Sequence, residues 1–171
     1  MIHSYIGDGK GKTTAAIGLA ARFAGSGKKV LFMQFLKGNE SSELTFLKNT
    51  NIVVKPCQTC VNGFYWEMNE EEKKKLKNET AIGFNSALKC AENDEFDMIV
   101  LDEIAGAIEN LLLPEDALVD FLMIYGKKKE IVITGRKISE KILELSDYVS
   151  IINKLKHPYD KGIEARCGIE Y

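Results

Sequence analysis

An apolar stretch, Ile2–Ile6, runs directly into Gly7-Asp8-Gly9-Lys10-Gly11-Lys12-Thr13-Thr14, which opens an Ala-rich stretch of helical spacing, Thr13–Ser26. This strand, glycine turn and helix in sequence is the context a phosphate-binding loop requires. Gly7, Gly9 and Gly11 permit backbone conformations closed to residues with a Cβ, so successive N–H groups are expected to converge on one point. The positive N-terminal end of the helix adds to that field. Lys12 reaches phosphate oxygens and the Thr13 hydroxyl offers a ligand to Mg²⁺. The strict pattern places glycine at position 6, where this chain has Ile6. Ile6 ends the strand, and Gly7 is expected to take over the turn.

The rest of the chain supplies partners for such a unit. Short runs rich in Val and Ile recur at Val30–Phe35, Ile52–Val54, Met98–Leu101, Ile131–Thr134 and Tyr148–Ile152, and read as buried strands of a parallel sheet. Gly27 suits the position just past the first helix, and a weaker helical signal covers Ser42–Lys48. A long helix is expected from Asn69 to about Ala91, its charged first half a solvated face with Glu70 before Lys74 and Glu71 before Lys75. Pro114 is expected at the first position of a helix that stops at Gly126. Alternating strands and helices without repeats or linker predict one α/β domain over residues 1–171, a doubly wound, mostly parallel open sheet of about six strands with helices on both faces.

Composition narrows the function. The 171 residues carry 23 Lys+Arg and 25 Asp+Glu, a formal charge of −2, which does not favour nucleic-acid binding through overall positive charge. The longest stretch without a charged side chain, Pro56 to Trp66, is far short of the roughly 18 residues that span a bilayer, so no membrane association is expected. The start, Met1-Ile2-His3-Ser4-Tyr5, lacks the features of a secretion signal, and a cytoplasmic protein without disulfides is expected. Cys57 and Cys60 form a lone C-x-x-C that neither Cys90 nor Cys167 completes, so no metal is assigned to it.

Three further segments bear on a nucleotide site. Met98-Ile99-Val100-Leu101-Asp102-Glu103 is an apolar strand ending in acid, which would set a carboxylate beside the Thr13 hydroxyl. Asp102 suits a water-mediated role and Glu103 a direct Mg²⁺ ligand or a base, with the division open. Thr134-Gly135-Arg136 also closes a strand, and Arg136 either neutralises phosphate charge or is an exposed helix-opening residue. Asn62-Gly63-Phe64-Tyr65-Trp66 either covers a flat apolar ligand or anchors its loop to the core. The polar tail, about residues 154–171, reads as an ordered wrap whose Lys154, Lys156, Lys161 and Arg166 can bring positive charge near phosphates. His157 in it reads as a hydrogen-bonding residue.

Taken together, these segments resemble the P-loop-type ATP:corrinoid adenosyltransferases. The resemblance rests on Gly7 through Ala16, Gln34-Phe35-Leu36-Lys37-Gly38, Gly63-Phe64-Tyr65-Trp66, Leu101-Asp102-Glu103, Thr134-Gly135-Arg136, and the tail from Lys156-His157-Pro158-Tyr159 to Gly168-Ile169-Glu170-Tyr171, in order along the whole chain. It implies a RecA-like homodimer that moves the 5′-deoxyadenosyl group of ATP to the Co(I) of cobalamin or a corrinoid precursor and releases triphosphate. ATP would lie reversed on Gly7, Asp8, Gly9, Lys10, Gly11, Lys12, Thr13 and Thr14, with Arg136 nearby. Lys12 would hold triphosphate, Thr13 with Glu103 and Asp102 would hold Mg²⁺, and Phe64 and Trp66 would close the lower face of the corrin. A reduced flavoprotein or free reduced flavin would supply the electron that makes Co(I). Family members often carry an N-terminal extension over the site, and the chain here is expected to lack or replace that lid. Two rival readings use the same loop: a small nucleoside kinase or ATPase, and a nucleotide-dependent corrinoid carrier without catalysis.

Overall fold

The computed structural model describes residues 1–36, 42–47, 50–57 and 65–169. Among these, six strands form one sheet: β1 Ile2–Ile6, β2 Val30–Gln34, β3 Ile52–Pro56, β4 Met98–Asp102, β5 Glu130–Gly135 and β6 Tyr148–Ile151. They lie in the order β3-β2-β4-β5-β1-β6, every pair parallel. Strands β2 and β4 are buried at every residue, which is why they read as unbroken apolar runs. The edge strand β6 is exposed throughout.

Helices cover both faces. The Ala-rich α1, Lys12–Gly25, and the short α2, Ser42–Leu47, lie on one face, where Ala16, Ala20 and Ala24 pack with Phe32, Val100 and Val132. Small side chains let α1 approach the sheet closely, which brings its N-terminus down to the strand ends. On the other face lie α3, Glu70–Glu92, α4, Ile104–Glu109, α5, Glu115–Tyr125, and α6, Glu140–Leu145. Their Leu76, Phe84, Ile104, Leu118, Phe121 and Ile142 meet Leu31, Met33, Ile99 and Ile133 from the sheet. Asn69 caps α3 reciprocally with Glu72.

Three helices differ from expectation. Pro114 is the N-cap of α5, one residue outside the first helical position, with its φ of −63° in extended backbone. Helices α4 and α6, six residues each, lack a sequence signal of their own because they are too short to display a helical period.

The turn after β1 is shaped by a distant segment. Gly7 has φ +119° and Gly11 φ +118°, so both adopt backbone that L side chains rarely enter. A Cβ on Gly7 would also stand 2.3 Å from the carbonyl oxygen of Ile152, just after β6. Gly18 lies mid-α1 with open space around it. Gly7→Ala should therefore cost about 2 kcal/mol or more through strain and overlap, while Gly18→Ala should stabilise by about 0.5–1 kcal/mol through helix propensity. Urea unfolding with unchanged slopes checks both signs, and a Gly7→Ala protein as stable as wild type would contradict the close approach.

Candidate active site

The parallel register builds the site one step at a time. On the α1 face, Phe32, Val100 and Val132 form an apolar row across β2, β4 and β5. Because side chains repeat with a period of two, the next row toward the C-terminal edge is Gln34, Asp102 and Thr134. All three are fully buried, and all three are polar. They lie beneath the N-terminal turn of α1.

Asp102 is the hub of this row. The Thr13 hydroxyl donates to both carboxylate oxygens, at 2.9 and 3.2 Å. The Thr134 hydroxyl donates to Oδ1 at 2.7 Å, and the Gln34 amide nitrogen donates to Oδ2 at 3.3 Å. Such a buried carboxylate is tolerated because it accepts several hydrogen bonds at once. Thr134 also accepts the backbone N–H of Glu103 at 2.8 Å. That contact supports Glu103 at φ +60°, a left-handed conformation uncommon for glutamate. Leu36, two residues past β2, has φ +57°, so strained backbone sits at the ends of two neighbouring strands, where functional sites concentrate it.

The glycine loop lies beside this row, but fewer of its amides are available than its sequence suggests. The Gly7 N–H donates to the Arg136 carbonyl at 3.0 Å, and the Gly9 N–H donates to the Ile152 carbonyl at 2.8 Å. The expectation that all three glycine amides converge on an anion is corrected accordingly. The helical ladder begins where Ala15 N–H meets the Gly11 carbonyl at 2.8 Å, so the amides of residues 11–14 precede it at the positive end of α1. Lys12 Nζ donates to the Gly9 carbonyl at 2.9 Å, folded back over the loop.

Asp8 faces the tail. Its Oδ1 accepts the Lys154 N–H at 3.0 Å, and this hydrogen bond holds the carboxyl below its usual range. Lys154 Nζ in turn pairs with Asp160 at 3.0 Å. Arg136 is exposed beside the loop, and Lys10 and Thr14 are exposed on it. His157 accepts the Tyr159 N–H through Nδ1 at 3.2 Å, a local turn contact. Lys156 and Lys161 are exposed on the tail.

The aromatic segment divides its two roles. Tyr65 packs against the core beside buried Met68, with Lys73 Nζ 5.6 Å from its ring centroid. Trp66, in the same 3-10 turn Tyr65–Glu67, is 68% exposed. Phe64 and Cys60 lie outside the described residues. Cys57 is buried, and burial pushes its thiol up to about 12, so it stays protonated at neutral pH.

The oxygen donors around α1 suit a hard divalent cation. A hydroxyl from Thr13 and the carboxylate of Asp102 are of the kind Mg²⁺ takes, one or two protein carboxylates with substrate phosphates and water completing the shell, and the Glu103 carboxylate, next in the chain, lies toward Gly106 of α4. Among the described residues no group of three or more His, Cys, Asp or Glu forms a dedicated metal cage. Sequence reasoning named Gln34 and Thr134 only as parts of longer matches. Their roles depend on strand register and become visible only when β2, β4 and β5 stand side by side.

The chain resembles known proteins in fold and in sequence. A structural neighbour, EssC (ATPases 2 and 3) from Geobacillus thermodenitrificans, superposes with a TM-score of 0.52 at 12% identity, covering 98% of this chain and 34% of that one. That likeness concerns the fold alone. The Corrinoid adenosyltransferase of Escherichia coli strain K12 is 34% identical, and the match covers 98% of this chain and 83% of the relative. Corrinoid adenosyltransferase CobA of Salmonella typhimurium shares 34% over the same fractions, and the Corrinoid adenosyltransferase of Pseudomonas aeruginosa shares 30% over 100% of this chain and 82% of its own. The family model for ATP:corrinoid adenosyltransferase BtuR/CobO/CobP matches residues 1–171, and the chain belongs to that family.

Proposed function

We propose that the protein transfers the 5′-deoxyadenosyl group of ATP to the Co(I) of cobalamin or a corrinoid precursor, with triphosphate as the leaving group. The observation that carries this reading is the junction of Thr13 and Asp102 under the α1 N-terminus, with Lys12 folded over the same loop. It provides a positive helix end and donors for a polyanion, and the family match over the whole chain points to an adenosyl acceptor.

Displacement at a primary carbon needs a strong nucleophile, an in-line approach and a stabilised leaving group. The electron pair on Co(I) forms the bond to C5′, and the C5′–O pair departs with triphosphate. The corrinoid supplies the nucleophile, so the protein's share is alignment and charge. The amides at the start of α1 hold phosphate oxygens, and Lys12 leaves the Gly9 carbonyl for the triphosphate as charge gathers there. Arg136 adds positive charge from the neighbouring strand end. Thr13, Glu103 and Asp102 are the residues that would hold Mg²⁺. Mg²⁺ bound there supplies neutralising charge for the triphosphate oxygens.

Reversed binding of ATP explains how a phosphate loop can serve alkyl transfer: the loop grips the portion that departs and C5′ faces outward. Trp66 and Phe64 form the lower face of the corrin, where an apolar surface disfavours an axial oxygen or nitrogen ligand and eases reduction of Co(II). The electron comes from a reduced flavoprotein or free reduced flavin. A homodimer is consistent with the exposed Tyr148, Val149 and Ile151 of β6. No described helix is long and apolar enough to cross a membrane, and we place the reaction in the cytoplasm.

Anaerobic incubation with ATP, Mg²⁺ and cob(I)alamin should give a product whose visible spectrum changes on illumination to that of cob(II)alamin, since light splits a cobalt–carbon bond homolytically. A spectrum unchanged by light would contradict alkyl transfer. Lys12→Ala should lower kcat/KM for ATP by about 10²–10³, the scale of one lost charged contact in the transition state. Unchanged kcat/KM would remove Lys12 from the site. Replacing Phe64 and Trp66 with Ala should slow turnover from cob(II)alamin far more than turnover from pre-reduced cob(I)alamin, and equal losses would take both off the lower face.

A further inference from the structure

The polar row on the α1 face contains one atom that the fold does not satisfy. Gln34 is fully buried at the end of β2, and its Cα is the register partner of Asp102. Its carboxamide has a defined orientation. An ionised carboxylate only accepts, so the group at 3.3 Å from Asp102 Oδ2 is the amide nitrogen, and the oxygen is the other end. That oxygen, Oε1, is the single buried side-chain polar atom without a hydrogen-bond partner among the described residues. Native structures rarely leave such an acceptor bare, and a bare one beside a functional site calls for a donor that arrives from outside.

Among the described residues, the side-chain donors of the same row and loop are engaged elsewhere. The Thr13 and Thr134 hydroxyl protons are on Asp102, and Lys12 Nζ is on the Gly9 carbonyl. The oxygen ligands beside Gln34 are those of a Mg²⁺ site, and Mg²⁺ dehydrates reluctantly, so it arrives with water molecules that each present two hydrogens. We infer that Gln34 is a positioning residue, whose amide nitrogen orients Asp102 while its amide oxygen accepts a hydrogen bond from a water in the hydration shell of the Mg²⁺ that accompanies ATP.

The identity of residue 34 follows from the two tasks. A glutamate would accept equally well but would set a second carboxylate against Asp102, and two like charges at that separation disfavour each other. A methionine of similar volume would neither donate nor accept. Glutamine alone among side chains of this length offers a donor to Asp102 and a neutral acceptor to a water. The inference rests on the reading that ATP with Mg²⁺ binds at the α1 N-terminus, and it adds a residue that helps to hold the ion without touching it.

The test compares wild type with Gln34→Met by calorimetric titration of ATP, once with Mg²⁺ and once with EDTA, and by Mn²⁺ titration of the ATP complex followed through the resonance of free Mn²⁺. Affinity for Mn²⁺ should fall about tenfold in Gln34→Met, as for outer-shell partners of metals, with affinity for ATP in EDTA kept within about twofold. Equal losses with and without metal would mean that Gln34 serves the fold or the nucleotide itself, and unchanged values would mean that it serves neither; either result overturns the inference. A crystal structure of the wild-type protein with ATP and Mg²⁺ provides a second measurement independent of the variant's folding. A water shared by the cation and Oε1 supports the assignment, and an Oε1 bonded to any other donor overturns it. Wild-type protein that binds no ATP would instead overturn the proposed function and this inference together.

Discussion

The Asp102 carboxylate is the constraint around which the site is organised. It is fully buried, and it accepts from Thr13 on α1, Gln34 on β2 and Thr134 on β5. Three elements brought together by long-range folding are thereby joined at one residue of a fourth. Loss of any one donor would leave part of a buried charge uncompensated, which is costly in a low-dielectric setting. The same junction sets the height of α1 over the sheet, because Thr13 can reach Asp102 only where Ala16 and Ala20 allow close packing. Helix placement and ligand chemistry are one arrangement here.

A second junction ties the phosphate loop to the chain's end. Gly7 and Gly9 have no Cβ where the backbone of Ile152 and Asn153 crosses them, and Asp8 accepts from Lys154. The glycines therefore serve two purposes at once: they shape the turn and they admit the segment that follows β6. Two amides that an isolated phosphate loop would offer to a ligand are consumed in bracing the loop, so under the proposed function anion binding falls to the start of α1. A braced loop loses less conformational freedom when a ligand arrives.

Much of this was legible in the residues themselves. Each of the six strands falls within two residues of its apolar run, because a parallel sheet covered on both faces demands continuous Val, Ile and Leu rather than alternation. The long helix expected from Asn69 to about Ala91 is α3, which Asn69 caps together with Glu72. The helices α4 and α6 were not legible, since six residues give little period, and α4 begins at a glutamate in left-handed backbone whose N–H donates to Thr134. The location of the nucleotide loop followed from local sequence, whereas the saturation of Gly7 and Gly9 depends on residues almost the whole chain away. Gln34 illustrates the same limit. A lone glutamine at a strand end carries no message until the register puts it opposite Asp102.

The aromatic turn puts one ring against the core and another on the surface. Tyr65 and Met68 fix it to the core, and Trp66 is left on the surface. Large flat ligands need such a fixed and apolar edge, and corrinoids are of that kind. The central claim remains the fate of the phosphates: a loop that grips the departing group releases it whole. Phosphorus NMR of the nucleotide products after turnover tests this most directly. The account predicts the resonances of inorganic triphosphate in amounts equal to the adenosylated corrinoid. Orthophosphate with ADP in that proportion would contradict it.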